Sequence, residues 1–328
     1  MIFDINRHWY RPSVTWLTAL LLPLSWIFRL VVKARRALYH AGIKKTFRFD
    51  VPVIVVGNIT VGGTGKTPFV LWLAEFLKQQ GFRPGIVSRG YGGEKNSAAI
   101  FITHETTAAQ VGDEAIMLAR RAGCPVVICT DRVAAVKELL DQMHCDIVIS
   151  DDGLQHYHLG RDIEIALVDG NRRHGNQRFL PAGPLRESVK RLSEVDFIVA
   201  QESPLPGEFE MRLEGNSLVS VKNADSTMPI EGFNNQKVHG VAAIANPERF
   251  FAALGSHNLE VIKHSFIDHY LYKSTDFNFK DEFPIVMTEK DAVKCMNFAD
   301  EKFWYMPVRA IVDAALGEAL LKKINLMT

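Results

Sequence analysis

The clearest chemistry in this chain begins at Thr60. The run Thr60-Val61-Gly62-Gly63-Thr64-Gly65-Lys66-Thr67 is glycine-rich and ends in Lys-Thr. Gly62, Gly63 and Gly65 allow backbone N–H groups to close on phosphate oxygens. Lys66 has the reach for β- and γ-phosphates, and the Thr67 hydroxyl suits Mg²⁺. The pattern G-x-x-x-x-G-K-[ST] expects glycine at position 60, where this chain has threonine. A second group is Asp151-Asp152-Gly153-Leu154-Gln155-His156. Adjacent carboxylates followed by an amide and an imidazole are denser in polar atoms than a turn requires. An Asp at the end of an apolar strand places a carboxylate beside the Mg²⁺ of a bound nucleotide, and the sequence leaves open whether Asp151 or Asp152 touches it. The segment 171–191 holds Arg172, Arg173, Arg178, Arg186, Lys190 and Arg191. Arginine forks there suit a second anion beyond ATP, and a solvated loop would also carry some of this charge.

These groups need elements to position them. Residues 51–57 form a continuous apolar, β-branched run, as a buried parallel strand requires. The glycine-rich loop follows, then an apolar-periodic helix over 69–77. Strand, loop and helix in that order are what a P-loop needs. A second buried strand, 145–150, ends in Asp151, and a third, 163–168, ends at Asp169. Asp113 and Glu114 open a helix-like stretch after Gly112, where first-turn carboxylates belong. Residues 201–236 are rich in Pro, Gly and Asn and read as a linker or hinge. Beyond it, strands at 238–245 and 283–287 flank a helix ending at Leu254, so the alternation continues. The expected fold is α/β: a P-loop (Rossmann-like) parallel-sheet core with a second, smaller α/β lobe and an N-terminal amphipathic membrane helix. The expected divisions are 1–45, 46–215 and 216–328. Thr288-Glu289-Lys290-Asp291 puts its lysine one place late for the guanine motif Asn/Thr-Lys-x-Asp, which speaks against GTP.

The N-terminal stretch Val14–Val32 is broken only by Thr15, Thr18, Pro23, Ser25 and Arg29. As a helix it would span roughly 28 Å. Thr15, Thr18, Ser25, Arg29 and Arg36 fall on one stripe, and apolar residues including Trp16, Leu20, Leu24 and Trp26 cover the rest. A basic cluster follows at Lys33, Arg35, Arg36, Lys44, Lys45 and Arg48. An in-plane helix at an anionic membrane surface fits this best, with a single span, a buried helix and a cleaved signal as alternatives. The chain of 328 residues has a net charge of +1, so no global charge argues for nucleic acid. Its four cysteines, Cys124, Cys129, Cys145 and Cys295, form no C-x-x-C pair and read as small apolar fillers.

Taken together, these blocks resemble the tetraacyldisaccharide 4′-kinase family. The resemblance rests on Val56-Gly57-Asn58, Gly62–Thr67, Ser88-Arg89-Gly90-Tyr91-Gly92-Gly93, Gly112-Asp113-Glu114, Asp151–His156, Leu180–Glu187, Asp268-His269 and Thr288–Lys294. It implies ATP-dependent phosphorylation of the 4′-hydroxyl of a tetraacylated glucosamine disaccharide 1-phosphate, giving lipid IVA in lipid A biosynthesis. It implies that Asp113 is the base and that His269 pairs with it. The two lie in different expected lobes, so pairing would require the lobes to close. It also implies catalytic roles for Lys66 and Asp152, phosphate binding by residues 60–67, and Mg²⁺ at Thr67, Asp151, Asp152 and Glu187. Arg89, Tyr91, Glu114, Gln155, His156 and Arg186 would bind substrate. The implied location is the cytoplasmic face of the inner membrane, monotopic or peripheral, with no obligate protein partner and no nucleic acid. The rival reading is a membrane-bound P-loop ATPase or GTPase switch. Many such switches carry a second lysine just before the glycine pair, where this chain has Val61.

Overall fold

A computed structural model describes residues 5–11, 13–93, 98–103 and 105–327. Two sheets dominate it. The larger has nine strands in the order β15 (Arg309–Val312), β8 (Phe209–Glu214), β7 (Phe197–Gln201), β6 (Ile163–Asp169), β1 (Val53–Gly57), β5 (Ile147–Ser150), β2 (Pro84–Ser88), β4 (Val126–Ile128) and β3 (Ile100–Phe101). The smaller has six, in the order β10 (Thr227–Pro229), β9 (Ser217–Ser220), β14 (Phe303–Met306), β13 (Ile285–Thr288), β11 (Lys237–Ala242) and β12 (Glu260–Ser265). The helices are α1 (Ile5–Trp9), α2 (Trp16–His40), α3 (Lys66–Gln79), α4 (Ala108–Val111), α5 (Asp113–Ala122), α6 (Arg132–Gln142), α7 (Pro247–Ser256), α8 (Glu289–Cys295) and α9 (Ala314–Asn325).

Strand β1 is buried along its whole length and pairs in parallel with β5 on one side and β6 on the other. Both of its faces are covered, which explains its unbroken run of branched apolar residues. Val55 lies opposite Ser150, so the loops leaving the carboxyl ends of β1 and β5 are neighbours. That pairing brings the glycine-rich loop to Asp151 and Asp152. Helix α3 then starts at Lys66 and buries Phe69, Val70, Leu73, Ala74 and Leu77 against the sheet. Its preceding residue, Gly65, has φ +78°, and a Cβ there would lie 2.9 Å from Met211 Cε. Only glycine fits both the handedness and the space.

Two expectations are corrected. The segment 201–236 is not a structureless hinge, because it contains β8, β9 and β10. Its strands lie toward sheet margins, with β8 only partly buried and β10 exposed, so they lack the unbroken apolar run that marks β1. The chain crosses between the sheets at Gly215 and Asn216, and β15 and α9 return to the larger sheet, with β15 antiparallel to β8. Residues 309–325 therefore pack with the first sheet rather than the second. Helix α2 takes Lys33, Arg35 and Arg36 into its last turns, as a stripe ending at Arg36 requires.

The polar stripe of α2 faces the protein. Thr18 and Ser25 are buried, and Ser25 Oγ donates to the Phe179 carbonyl at 2.8 Å. Arg29 lies 5.7 Å from the Phe179 ring centroid, Arg36 pairs with Glu194, and the Tyr39 ring packs on Tyr157. Trp16, Leu20, Leu24, Trp26, Ile27 and Leu30 are exposed instead.

Candidate active site

Lys66 occupies the first turn of α3 and turns back over its own loop. Its Nζ lies 3.3 Å from Asn58 Oδ1 and 3.7 Å from Asp152 Oδ1. Thr60 is buried, bridges to Leu185 in the backbone and has no positive φ, so a threonine is tolerated where the usual pattern has glycine.

The two strand-end carboxylates sit in different surroundings. Asp151 Oδ2 accepts a hydrogen bond from Ser88 Oγ at 2.9 Å, and its Oδ1 is buried without a hydrogen-bond partner among the described residues. Burial, then the charge of Asp152, pushes the Asp151 carboxyl up to about 6. Asp152 has a φ of +47°, uncommon for a residue with a side chain. Both of its oxygens accept from Arg186 Nη1, at 2.9 and 3.0 Å. Burial alone would raise this carboxyl, but Lys66 and Arg186 outweigh it and hold it well below the usual range. Beneath the pair lies Arg132, almost fully buried, which donates to the carbonyls of Cys129 and Asp151 at 2.9 and 3.1 Å. Burial pulls its pKa down to about 10 against the pull of both aspartates.

Gln155 Nε2 donates to the Asn58 carbonyl at 3.0 Å and to Glu187 Oε1 at 2.8 Å. Tyr157 donates to Glu187 Oε2 at 2.6 Å. Glu187 thus already uses both oxygens, and a metal contact would require it to exchange one of them. His156 is neutral: burial, then Arg132, Arg89 and Arg35, push it down to about 3.

Across the cleft, Asp113 begins α5 and Gly112 before it has φ +90°. The backbone of Gly112 lies against that of Tyr91, with no room for a Cβ. His269 Nδ1 lies 3.8 Å from Asp113 Oδ2, and Lys294 Nζ lies 3.5 Å from the same oxygen. Burial would raise the Asp113 carboxyl, but His269 and Lys294 outweigh it and bring it below the ordinary range. Lys290 reaches Glu114 at 2.9 Å, Asp268 at 3.1 Å and His269 Nε2 at 3.3 Å. The Tyr91 ring lies 5.0 Å from that of His269. No large lobe movement is needed to bring Asp113 and His269 together, because the loop after β12 already holds His269 against the start of α5. The separation of 3.8 Å still exceeds a hydrogen bond and leaves about 1 Å to close.

The glycine-rich loop and His269 face one cleft of about 1360 Å³, lined by residues 61–67, Arg89, Tyr91, Glu114, Asp151, Asp152, Gln155, His156, Arg186, Glu187 and His269, and the buried Asp113 lies behind His269. Phe28, Val31, Val32 and Arg35 of α2 line it too. A glycine-rich loop thus faces an imidazole backed by a carboxylate, at a cleft that opens beside an exposed apolar helix.

A model of the tetraacyldisaccharide-1-P 4′-kinase family matches residues 17–325. The chain belongs to that family. It is 48% identical to the tetraacyldisaccharide 4′-kinase of Nitrosococcus oceani over 335 residues, covering 99% of this chain and 97% of that protein. It is 49% identical to the Coxiella burnetii enzyme of the same name over 306 residues, covering 93% and 90%. A crystal structure of the Aquifex aeolicus family member in complex with ATP superimposes with a TM-score of 0.80 at 28% identity, covering 94% of this chain and 99% of that one.

As a tetraacyldisaccharide 4′-kinase, the chain phosphorylates the 4′-position of a tetraacylated disaccharide 1-phosphate in lipid A biosynthesis. That acceptor is a lipid, which accounts for a polar site beside an apolar helix. Two residues of the site, Arg132 and Tyr157, escaped the sequence reading, while Ser88 and Lys294 stood in the family blocks without a role. Arg132 left a trace, as an arginine in a helix that is otherwise apolar on its buried side. Tyr157 is an ordinary residue until its partner is known.

Proposed function

We propose that this cleft moves the γ-phosphoryl group of ATP onto the 4′-hydroxyl with Asp113 as general base. The observation that carries the reading is the shared cleft, with Lys66, Asp151 and Asp152 on one wall and His269, in reach of Asp113, on the other. The backbone of residues 60–67 cradles the phosphates, and Lys66 follows the charge that develops on them. Asp113 accepts the hydroxyl proton as that oxygen attacks the γ-phosphorus. The bond to the bridging oxygen breaks, and ADP leaves with its electron pair. His269 orients and tunes Asp113. Arg89, Tyr91, Glu114, Gln155, His156 and Arg186 bind and align the substrates.

Mg²⁺ fits the donor set. Among the described residues no cluster of three or more His, Cys, Asp or Glu could hold a metal by itself, but a nucleotide-bound Mg²⁺ needs only one or two carboxylates and a hydroxyl besides phosphate and water. The unpartnered Oδ1 of Asp151 supports such a site, with Thr67 and Asp152 beside it and Glu187 behind Gln155. When bound, Mg²⁺ would neutralise phosphate charge.

The same reading places α2 in the plane of the cytoplasmic leaflet of the inner membrane, with no nucleic acid and no obligate protein partner. Contacts from Ser25 to Tyr39 hold the helix to the protein body over about 21 Å. A span would drag that body into the hydrocarbon, although the helix is apolar and long enough to cross. Carbonate washing should release part of the protein, and a spanning helix would resist it.

The test of catalysis uses the purified protein in detergent with labelled ATP, Mg²⁺ and the disaccharide lipid. Label should pass to the lipid, and Asp113→Ala should lower kcat by roughly 10²–10⁴-fold with ATP affinity kept. His269→Ala should be milder, and the double variant should lose less than the product of the two. Phosphate release that ignores the lipid would indicate a nucleotide switch. Single effects that multiply would refute the dyad.

A further inference from the structure

His269 is only one of two groups that bring a nitrogen close to Asp113 Oδ2, at 3.8 Å. The other is Lys294, on α8, whose side chain is 3% exposed. Its ammonium lies 3.0 Å from Asp291 Oδ1 and 3.5 Å from Asp113 Oδ2. Asp291 is fully buried, and its second oxygen accepts from Thr288 Oγ1 at 2.7 Å and from the Ala243 N–H at 2.9 Å. Thr288 also caps α8 through the Asp291 N–H. The anchor is therefore rigid, and the Tyr272 ring 5.6 Å away flanks the ammonium. A buried lysine needs one counter-ion, and Asp291 supplies it. The second contact, to a carboxylate at the start of α5, is beyond what the fold of α8 requires.

We propose that Lys294 is a positioning residue for phosphoryl transfer: its ammonium, anchored by Asp291, reaches across from α8 to hold Asp113 ionised and aimed at the acceptor hydroxyl. This rests on the reading of Asp113 as the base. Of the other groups around the pair, Lys290 divides its charge between Glu114 and Asp268. Burial pushes the Cys295 thiol up to about 12 and the Tyr272 phenol further, so both stay neutral. Asp276 lies behind Tyr272 and hydrogen-bonds Tyr270. His269 faces Asp113 from the loop before Tyr270 and is kept intact in the test.

The measurement is kcat against pH for the full chain in detergent, with ATP, Mg²⁺ and the tetraacyldisaccharide 1-phosphate saturating. A nearby cation lowers a carboxyl pKa, so its removal raises that pKa and moves the acid limb of the profile to higher pH. Lys294→Met should move the limb up by about 1 unit and leave the KM for ATP unchanged. Lys294→Arg, which keeps the charge, should return it toward the original position. Lys294→Met strands Asp291, so Lys294→Met/Asp291→Asn serves as the folded counterpart and should show the same direction of shift. An acid limb that stays in place in a folded double variant overturns the proposal, because a merely structural lysine would alter melting and not the limb. Asp113→Ala run alongside separates the two ideas. If it keeps activity, the base reading fails; if it is inactive while the limb stays in place, only the role of Lys294 fails.

Discussion

Asp151 and Asp152 are neighbours in the chain and opposites in ionisation. Asp151 points into the protein, where burial and the negative charge beside it push its carboxyl up to about 6. Asp152 turns into a left-handed conformation and meets Lys66 and Arg186. A like-charged pair cannot both ionise freely, and the environment decides which yields. The raised group has a stated sign. A carboxyl that binds its proton more tightly when folded stabilises the protein at low pH and loses that contribution as pH rises from the usual carboxylate range through about 6. In protein free of nucleotide and metal, the Tm of the original protein should therefore fall relative to that of Asp151→Asn between about pH 4 and 6. Thermal melts over that range decide it, and identical slopes would mean the burial of Asp151 is relieved by solvent.

At the scale of the element, α2 inverts the usual division of a surface helix. Its polar stripe is the docking face and its apolar face is bare. Leu20, Leu24 and Ile27 are 68%, 55% and 60% exposed. Replacing all three with serine should leave the Tm nearly unchanged, since surface side chains that touch little cost little. The same change should abolish flotation with anionic vesicles. Ser25→Ala should do the reverse, costing about 1 kcal/mol through the lost bond to Phe179 while flotation persists. Were both variants to float normally, the exposed face would not be the lipid face.

The whole molecule is held by a chain that crosses between its sheets more than once. Arg121, near the end of α5, bonds Glu289 at 2.6 Å and the Val308 carbonyl at 2.9 Å, so α5, α8 and the crossover to β15 share one clasp. The return of β15 and α9 has a consequence for truncation. Ending the chain after Val308 removes the fully buried Leu316, Leu320 and Ile324 from the core of the larger sheet. Three such side chains contribute roughly 5–9 kcal/mol, on the order of a whole domain's net stability. The truncated chain should be insoluble or melt without cooperativity, as scanning calorimetry would show. A soluble product that melts cooperatively would mean that the last strand and helix are dispensable to the first sheet.

By itself the sequence determined the glycine-rich loop between strand and helix, the α/β alternation and the family. Those signals are local: glycines within six residues of Lys66, an apolar run before them, carboxylates at a strand end. Backbone geometry and nearest-neighbour chemistry constrain such segments whatever the rest of the chain does. It also marked the stripe of α2, but not its direction, because periodicity separates two faces without saying which meets protein. Only the tertiary structure decided that Ser25 meets Phe179, 154 residues away. It alone brought Arg132 beneath Asp151, Lys294 to Asp113, and β15 back to β8. The opposed ionisation of Asp151 and Asp152 was hidden for the same reason. A pKa depends on burial and on charges within a few ångströms, and those neighbours come from distant parts of the chain.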